Sequence, residues 1–245
     1  MSFIRTLFDK IVARFVSALF QEYDKRHLHP HRLLLEKAQR ESADYAASNM
    51  PNAVVLKDQA SVLEFAISRI EIEGNVLEFG VASGESIRRI CGSISRPVHG
   101  FDSFEGLPED WGGRHEGKGH YTTHGHLPSV PSNAVLHKGW FKDSLEKFCK
   151  NDNEDVSFLH IDCDLYSSTK TVFEYLGPRI RVGTVIVFDE YFNFASWKEH
   201  EFKAFQEFVS EYGVEYRYLC WAYQQAAVVV LSIDGDATAK LKSDV

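Results

Sequence analysis

The chain is short of cysteine. Its four, Cys91, Cys149, Cys163 and Cys220, form no C-x-x-C pair and match no zinc spacing, which excludes a disulfide framework and a structural zinc site as expectations and fits a reducing, cytoplasmic setting. It also lacks an apolar run of the roughly 18 residues that a membrane-spanning helix needs. Arg5, Asp9, Lys10 and Arg14 interrupt the N-terminal segment where a signal peptide would be uncharged, so a soluble protein is expected. Positive charge is in deficit too: 27 Lys and Arg against 35 Asp and Glu give a net charge of -8. Without a basic surface, nucleic acid is not an expected partner. There is no internal repeat, no low-complexity tract, and no serine or cysteine nucleophile motif.

What is present is material for one large core: 245 residues, 44% of them hydrophobic and 13% aromatic. Ile4, Phe8, Ile11, Phe15 and Leu19 recur at helical spacing, with Arg5, Lys10 and Arg14 elsewhere. This stripe has two readings: docking on the core or on a second subunit, which makes a homodimer the expected assembly, or attachment to a lipid surface. His27-Leu28-His29-Pro30-His31 breaks the pattern. A second helix is expected from Leu33 to Ala47, and a third from Asp58 to Gly74 with Val62, Phe65, Ala66 and Ile70 inward.

After Gly74 short apolar runs alternate with helical stretches: 75–79, 98–101, 134–136, 156–161 and 184–188. That alternation implies βαβ units. A helix over 198–212, with Phe202, Phe205 and Val209 inward, precedes strands at 215–219 and 226–233 with no long helix between them. The expected fold is α/β: a Rossmann-like, doubly wound, mostly parallel seven-stranded sheet with a C-terminal antiparallel hairpin and N-terminal helices. Residues 1–73 are expected to form a helical segment packed on the core or on a partner subunit, and 74–245 the α/β domain.

Two ends of this sheet carry chemistry. Val76-Leu77-Glu78-Phe79-Gly80-Val81-Ala82-Ser83-Gly84-Glu85-Ser86 reads as strand, glycine turn and helix start, where free amides and Ser86 could bind a carboxylate or phosphate. Its G-x-x-x-G spacing is not the G-x-G-x-x-G of a nicotinamide site. The next strand ends at Asp102, suited to ribose hydroxyls, and the third at Gly139-Trp140-Phe141, an aromatic pair that could stack on a base or belong to the core. At the other end, Asp162 and Asp164 close the fourth strand, and Asp189 and Glu190 the fifth. Four acids with no Lys or Arg in either motif call for a hard divalent cation, magnesium or manganese, held by oxygen. The alternative is that Asp164 caps the following helix and Asp189 accepts loop amides. His115, His120, His124 and His126 lie in a glycine-rich stretch over 111–127, expected to form a mobile lid with the histidines facing solvent.

Five blocks in order give these pieces a common identity: Leu77-Glu78-Phe79-Gly80, the run from Phe101 to Pro108, Lys138-Gly139-Trp140-Phe141, the run from His160 to Thr169, and Phe188-Asp189-Glu190-Tyr191. From about Val76 to Val230 the chain resembles the macrocin O-methyltransferase (TylF-like) family of class I S-adenosylmethionine-dependent enzymes, which methylate hydroxyls, typically on sugars of antibiotics. The resemblance implies that Glu78, Gly80 and Ser86 line the methionine side of S-adenosylmethionine, Asp102 its ribose with Ser103 beside it, and Trp140 and Phe141 the adenine. It implies magnesium, or manganese, on Asp162, Asp189 and Glu190, the last replacing an aspartate of the better-known sugar enzymes. Asp162 or Asp164 is the expected general base, acting on a small hydroxylated acceptor. A catechol or phenylpropanoid O-methyltransferase and a non-catalytic cofactor-binding scaffold are the rival readings.

Overall fold

The computed structural model describes residues 2–234. In the first helix the side chains of residues 2–7, 9, 26 and 27 lie outside the described residues, and with them Ile4, Arg5, Asp9 and His27 of the N-terminal reading. Residues 235–245 of the second segment lie outside as well.

The strands are β1 (Val54–Val55), β2 (Asn75–Phe79), β3 (Val98–Asp102), β4 (Ala134–Lys138), β5 (Val156–Ile161), β6 (Ile180–Phe188), β7 (Glu215–Trp221) and β8 (Ala226–Ser232). They form one sheet in the order β1-β7-β8-β6-β5-β2-β3-β4. β8 is antiparallel to both β6 and β7, which is the expected C-terminal hairpin. The seven predicted strands are all present. The eighth, β1, is a two-residue strand parallel to β7, too short to show a periodicity. Every residue of β2 and β5 is buried, because helices cover both faces of a parallel sheet and force near-continuous apolar runs. The chain runs from β2 outward through β3 to β4, then returns to place β5 on the other side of β2. Ligands of open α/β sheets bind at such a reversal, beyond the carboxyl ends of the strands.

The helices are α1 (Ser2–Leu28), α2 (Pro30–Asn49), α3 (Gln59–Ile67), α4 (Glu85–Ser93), α5 (Phe141–Asn151), α6 (Tyr166–Leu176) and α7 (Glu201–Tyr212). One face of the sheet packs Val76, Val98, Phe158 and Val187 against α3 and α4. The other packs Phe79, Phe101, Ile161 and Phe188 against α5, α6 and α7. α3 starts where Asp58 accepts the amide of Ser61 at 2.9 Å, but it ends at Ile67, short of the expected Gly74. α7 buries Glu201, Ala204, Phe205 and Phe208, while the expected Phe202 and Val209 lie at the margin of that face.

The N-terminal stripe does not dock on this core. Phe8, Ile11, Phe15 and Leu19 are all more than half exposed, as are Phe20 and Tyr23. α2, whose first turn carries Pro30 behind the N-cap His29, does dock. It buries Ala38, Ser42 and Ala46 and sets the Tyr45 hydroxyl 2.6 Å from that of Tyr218 on β7.

Candidate active site

A cavity of about 500 Å³ opens at the reversal between β2 and β5 and is lined at one end by Gly80, Asp102, Ser103, Trp140 and Phe141. Gly80 has φ +92, and a Cβ there would overlap the carbonyl oxygen of Asp162, so the turn after β2 passes against β5 with no room for a side chain. Asp102 is the fixed point of this end. Its Oδ2 accepts the amides of Val81 and Ala82, each at 2.8 Å, and its Oδ1 that of Phe104 at 2.6 Å. Of about four acceptor positions on a carboxylate, three are used, leaving one on Oδ1 for a ribose hydroxyl. Asp102→Ala would orphan three amides and is expected to cost about 3 kcal/mol of stability in a denaturant titration. Phe141 packs edge-on against Phe79 at 5.2 Å and is half core, whereas Trp140 is 43% exposed on the rim.

A second hollow of about 190 Å³ adjoins the first through Gln59, Ala82 and Asp162 and reaches Ser86. Gly84, the left-handed N-cap of α4, offers no side-chain bond, so the first-turn amides beside Ser86 are not capped by it. Glu78 reaches neither cavity. It is wholly buried, with Oε1 3.0 Å from Nδ1 of His160, its neighbour across the β2–β5 ladder.

The acids lie at the far end. The ladder continues past both strands: the Asp162 amide donates to Phe79 and the Asp189 amide to Ile161, each at 2.9 Å. Alternation therefore puts Asp162 and Asp189 on the face of His160 and α3. There Gln59, at the start of α3, donates to Asp189 Oδ1 at 2.5 Å. Glu190 belongs to the opposite face, with Glu201 of α7, while Asp164, turned out of the alternation by its positive φ, groups with Glu190 as well as with Asp162. Glu201 is wholly buried and accepts the amides of Cys163, Asp164 and Glu190 at 3.4, 3.2 and 3.1 Å. It ties the two acidic loops together and holds Asp164 at its left-handed φ of 66, a conformation that a non-glycine residue keeps only when its surroundings impose it. Asp164 does not cap α6, whose N-cap is Leu165 with no side-chain bond.

Two ligand groups result, each with donor atoms within 4.8 Å of one another: His160, Asp162 and Asp189, and Asp162, Asp164 and Glu190. The expected set of Asp162, Asp189 and Glu190 is divided between them, because consecutive residues past a strand end point to opposite faces. Asp162 is common to both.

Burial raises the pKa of Asp162, Glu190 and Glu201 well above the carboxylate range, and their mutual repulsion adds to it. Burial pushes Asp164 up to about 7. Among the described residues none of these acids is ion-paired with a lysine or arginine; Arg114, whose charge opposes the rise at Asp164, is itself paired with Glu116. Glu190 Oε2 and His160 Nε2 are buried without partners. A bound cation fits all three observations, since it offsets the repulsion and satisfies the free atoms.

The segment after β3 covers the site. Phe104 and Trp111 anchor it, each 1% exposed. Leu107 and His120 pair through the backbone, and the amides of Thr123 and Gly125 donate to the Phe104 carbonyl. The Gly112 carbonyl accepts from Ser196 and His200, and Ser167 donates to Glu109. Its four histidines are exposed, as expected of them. Tyr121 instead lines the cavity.

Residues 77–191 match the family model described as a methyltransferase domain. A curated relative, the 8-demethyl-8-(2,3-dimethoxy-alpha-L-rhamnosyl)-tetracenomycin-C 4'-O-methyltransferase of Streptomyces olivaceus, is 29% identical over 143 residues, 49% of this chain and 54% of that protein. The chain thus matches about half the length of that relative. Among solved structures, the calicheamicin methyltransferase CalS11 aligns with TM-score 0.56 at 18% identity, over 85% of this chain and 94% of that one. The O-methyltransferase NovP aligns with TM-score 0.51 at 21% identity, over 69% and 76%. At these identities the two structures speak for the fold. Residues 77–191, which carry the glycine turn and all four acidic strand-end residues, therefore match a methyltransferase domain, and the chain has the fold of these methyltransferase structures, in line with the resemblance to the macrocin O-methyltransferase family.

Proposed function

We propose that the chain is an S-adenosylmethionine-dependent O-methyltransferase acting on a hydroxyl of a small molecule, a sugar or other polyhydroxylated natural product, with a divalent cation at its acidic end. One observation carries the reading: a single cavity joins Asp102 and the Trp140-Phe141 wall to Asp162, Asp164, Asp189 and Glu190. The curated relative's name, which specifies a rhamnosyl group, favours a sugar hydroxyl.

Asp102, Ser103 and the Trp140 rim would hold the nucleoside, and the open first turn of α4 beside Ser86 the amino-acid end. The bound cofactor supplies a sulfonium methyl group, and a bound magnesium or manganese ion supplies Lewis-acid polarisation of the acceptor oxygen. Asp164, which groups with Asp162 and Glu190, would take the hydroxyl proton when Asp162 is committed to the cation. Gln59 orients Asp189, Glu201 fixes the loops of Asp164 and Glu190, and the cover excludes water. The cavity orients the acceptor hydroxyl beside the methyl donor, which converts an encounter into a positioned pair. Incubation with methyl-labelled cofactor and panels of sugar-bearing and catechol acceptors tests the reading. Transfer confined to sugars supports it, transfer to catechols alone moves the assignment to that class, and binding without any transfer makes the chain a scaffold.

The same reading sets the chain in the cytoplasm, as a homo-oligomer whose partner covers the exposed α1 stripe. A monomer in light scattering at micromolar concentration would contradict that assembly.

The acids also set a pH dependence. Asp164 titrates near 7 in the fold and near 4 in an unfolded chain, so folding favours its protonated form between these values. The metal-free protein therefore loses this contribution as pH rises from about 4 to about 7. Denaturant titrations of wild type and Asp164→Asn should diverge over that window and run parallel above it. Saturating manganese should abolish the divergence.

A further inference from the structure

The buried pair of Glu78 and His160 lies behind the acids, and neither residue has a part in the proposed function above. Both side chains are almost wholly enclosed, at 0% and 1% exposure, and both come from the interior of β2 and β5. A carboxylate accepts, so Glu78 fixes the ring hydrogen on Nδ1, 3.0 Å away. Nε2 is left with its lone pair, buried and without a partner. An enclosed imidazole nitrogen of this kind is costly unless something binds it. His160 shares the face of Asp162 and Asp189, and a ring nitrogen of it groups with oxygens of both within 4.8 Å. Carboxylate, histidine and cation in line is the arrangement that proteins use to orient an imidazole ligand and raise its basicity.

We propose that His160, oriented by Glu78, is a nitrogen ligand to the cation of this site, and that the cation is accordingly a first-row transition ion such as manganese or cobalt in preference to magnesium. The inference rests on the metal-assisted reading above and adds to it the ligand type. An all-oxygen set suits magnesium, whereas an imidazole favours ions further along the first transition row. It also accounts for the division of the acids. Asp162 and Asp189 complete the mixed set on the His160 face, leaving Asp164 and Glu190 to handle the acceptor's proton.

Pulsed electron paramagnetic resonance of manganese bound to the full chain, after stripping with a chelator, tests this without any turnover. Nitrogen-14 modulation from a directly bound imidazole is expected in the wild type. His160→Gln should lose that modulation and weaken manganese binding by about 10-fold or more, and Glu78→Gln should keep it with binding about 10-fold weaker. Magnesium affinity, read by competition, should change less than about 3-fold in either variant, because water can replace the nitrogen on that ion. Bound manganese with no nitrogen modulation in the wild type overturns the ligand while leaving an oxygen-held metal intact. Modulation that persists in His160→Gln overturns it as well. Failure of the wild type to bind either ion removes the metal reading itself.

Discussion

Asp162→Asn is expected to lower methyl transfer by about 1,000-fold or more while changing S-adenosylhomocysteine affinity by less than about 3-fold. The asymmetry follows from where Asp162 stands. It is common to both ligand groups, so its loss disarms the cation on either face. The cofactor end is held by other groups: Asp102 with its three amides, and the close pass of Gly80. The substitution removes one member of a crowd of buried acids whose repulsion raises their pKa values, so folding should survive it. Residual activity should no longer respond to a chelator. Calorimetry with the product cofactor and initial-rate measurements on the same preparation separate the two effects. Full activity in the variant would remove Asp162 from the mechanism.

Gly80→Ala should act in the opposite way, through the backbone. The residue has φ +92, and an added Cβ would overlap the Asp162 carbonyl oxygen. Neither atom can move alone, because the Gly80 amide donates to Phe101 at 3.0 Å and the Asp162 amide to Phe79 at 2.9 Å. Strain at such a position and loss of ladder geometry together should cost about 3–5 kcal/mol, with cofactor binding and transfer lost at once. Gly112→Ala is the control: nothing lies within 4 Å of its Cβ position, so its denaturation midpoint should stay near that of the wild type. If Gly80→Ala folds and binds like the wild type, the close pass between β2 and β5 is not what builds the site.

Much of this is legible in the amino-acid sequence. β2 and β5 have the expected bounds because apolar runs flanked by turn residues admit little else. Their ends at Gly80 and Asp162 then followed from chain order and the reversal rule for α/β sheets. β6 extends beyond expectation where the pattern is polar and interrupted, at Arg181 to Gly183. α3 stops early because a Ser68-Arg69 turn ends it well before the glycine. The supporting residues were harder to see. Gln59 follows an N-cap one turn before Val62 on the inward face of α3, and nothing local marks it as facing Asp189. Glu201 did leave a trace: it sits at the head of the apolar series Ala204, Phe205 and Phe208, so a carboxylate on a buried helical face was visible. A first-turn acid is so common at helix starts that its role stayed hidden. Glu78 and His160 face each other only through a register that no single strand states. The division of the acids is likewise a property of two strands together.

The most direct test is a crystal structure of the full chain with S-adenosylhomocysteine and manganese, the metal identified by its anomalous signal. The account predicts the ribose at Asp102, the amino-acid end at the first turn of α4 beside Ser86, and manganese on Asp162 with the cofactor sulfur facing it across the cavity. Cofactor bound away from the Gly80 turn, or manganese absent from Asp162 in a crystal soaked to saturation, would contradict it.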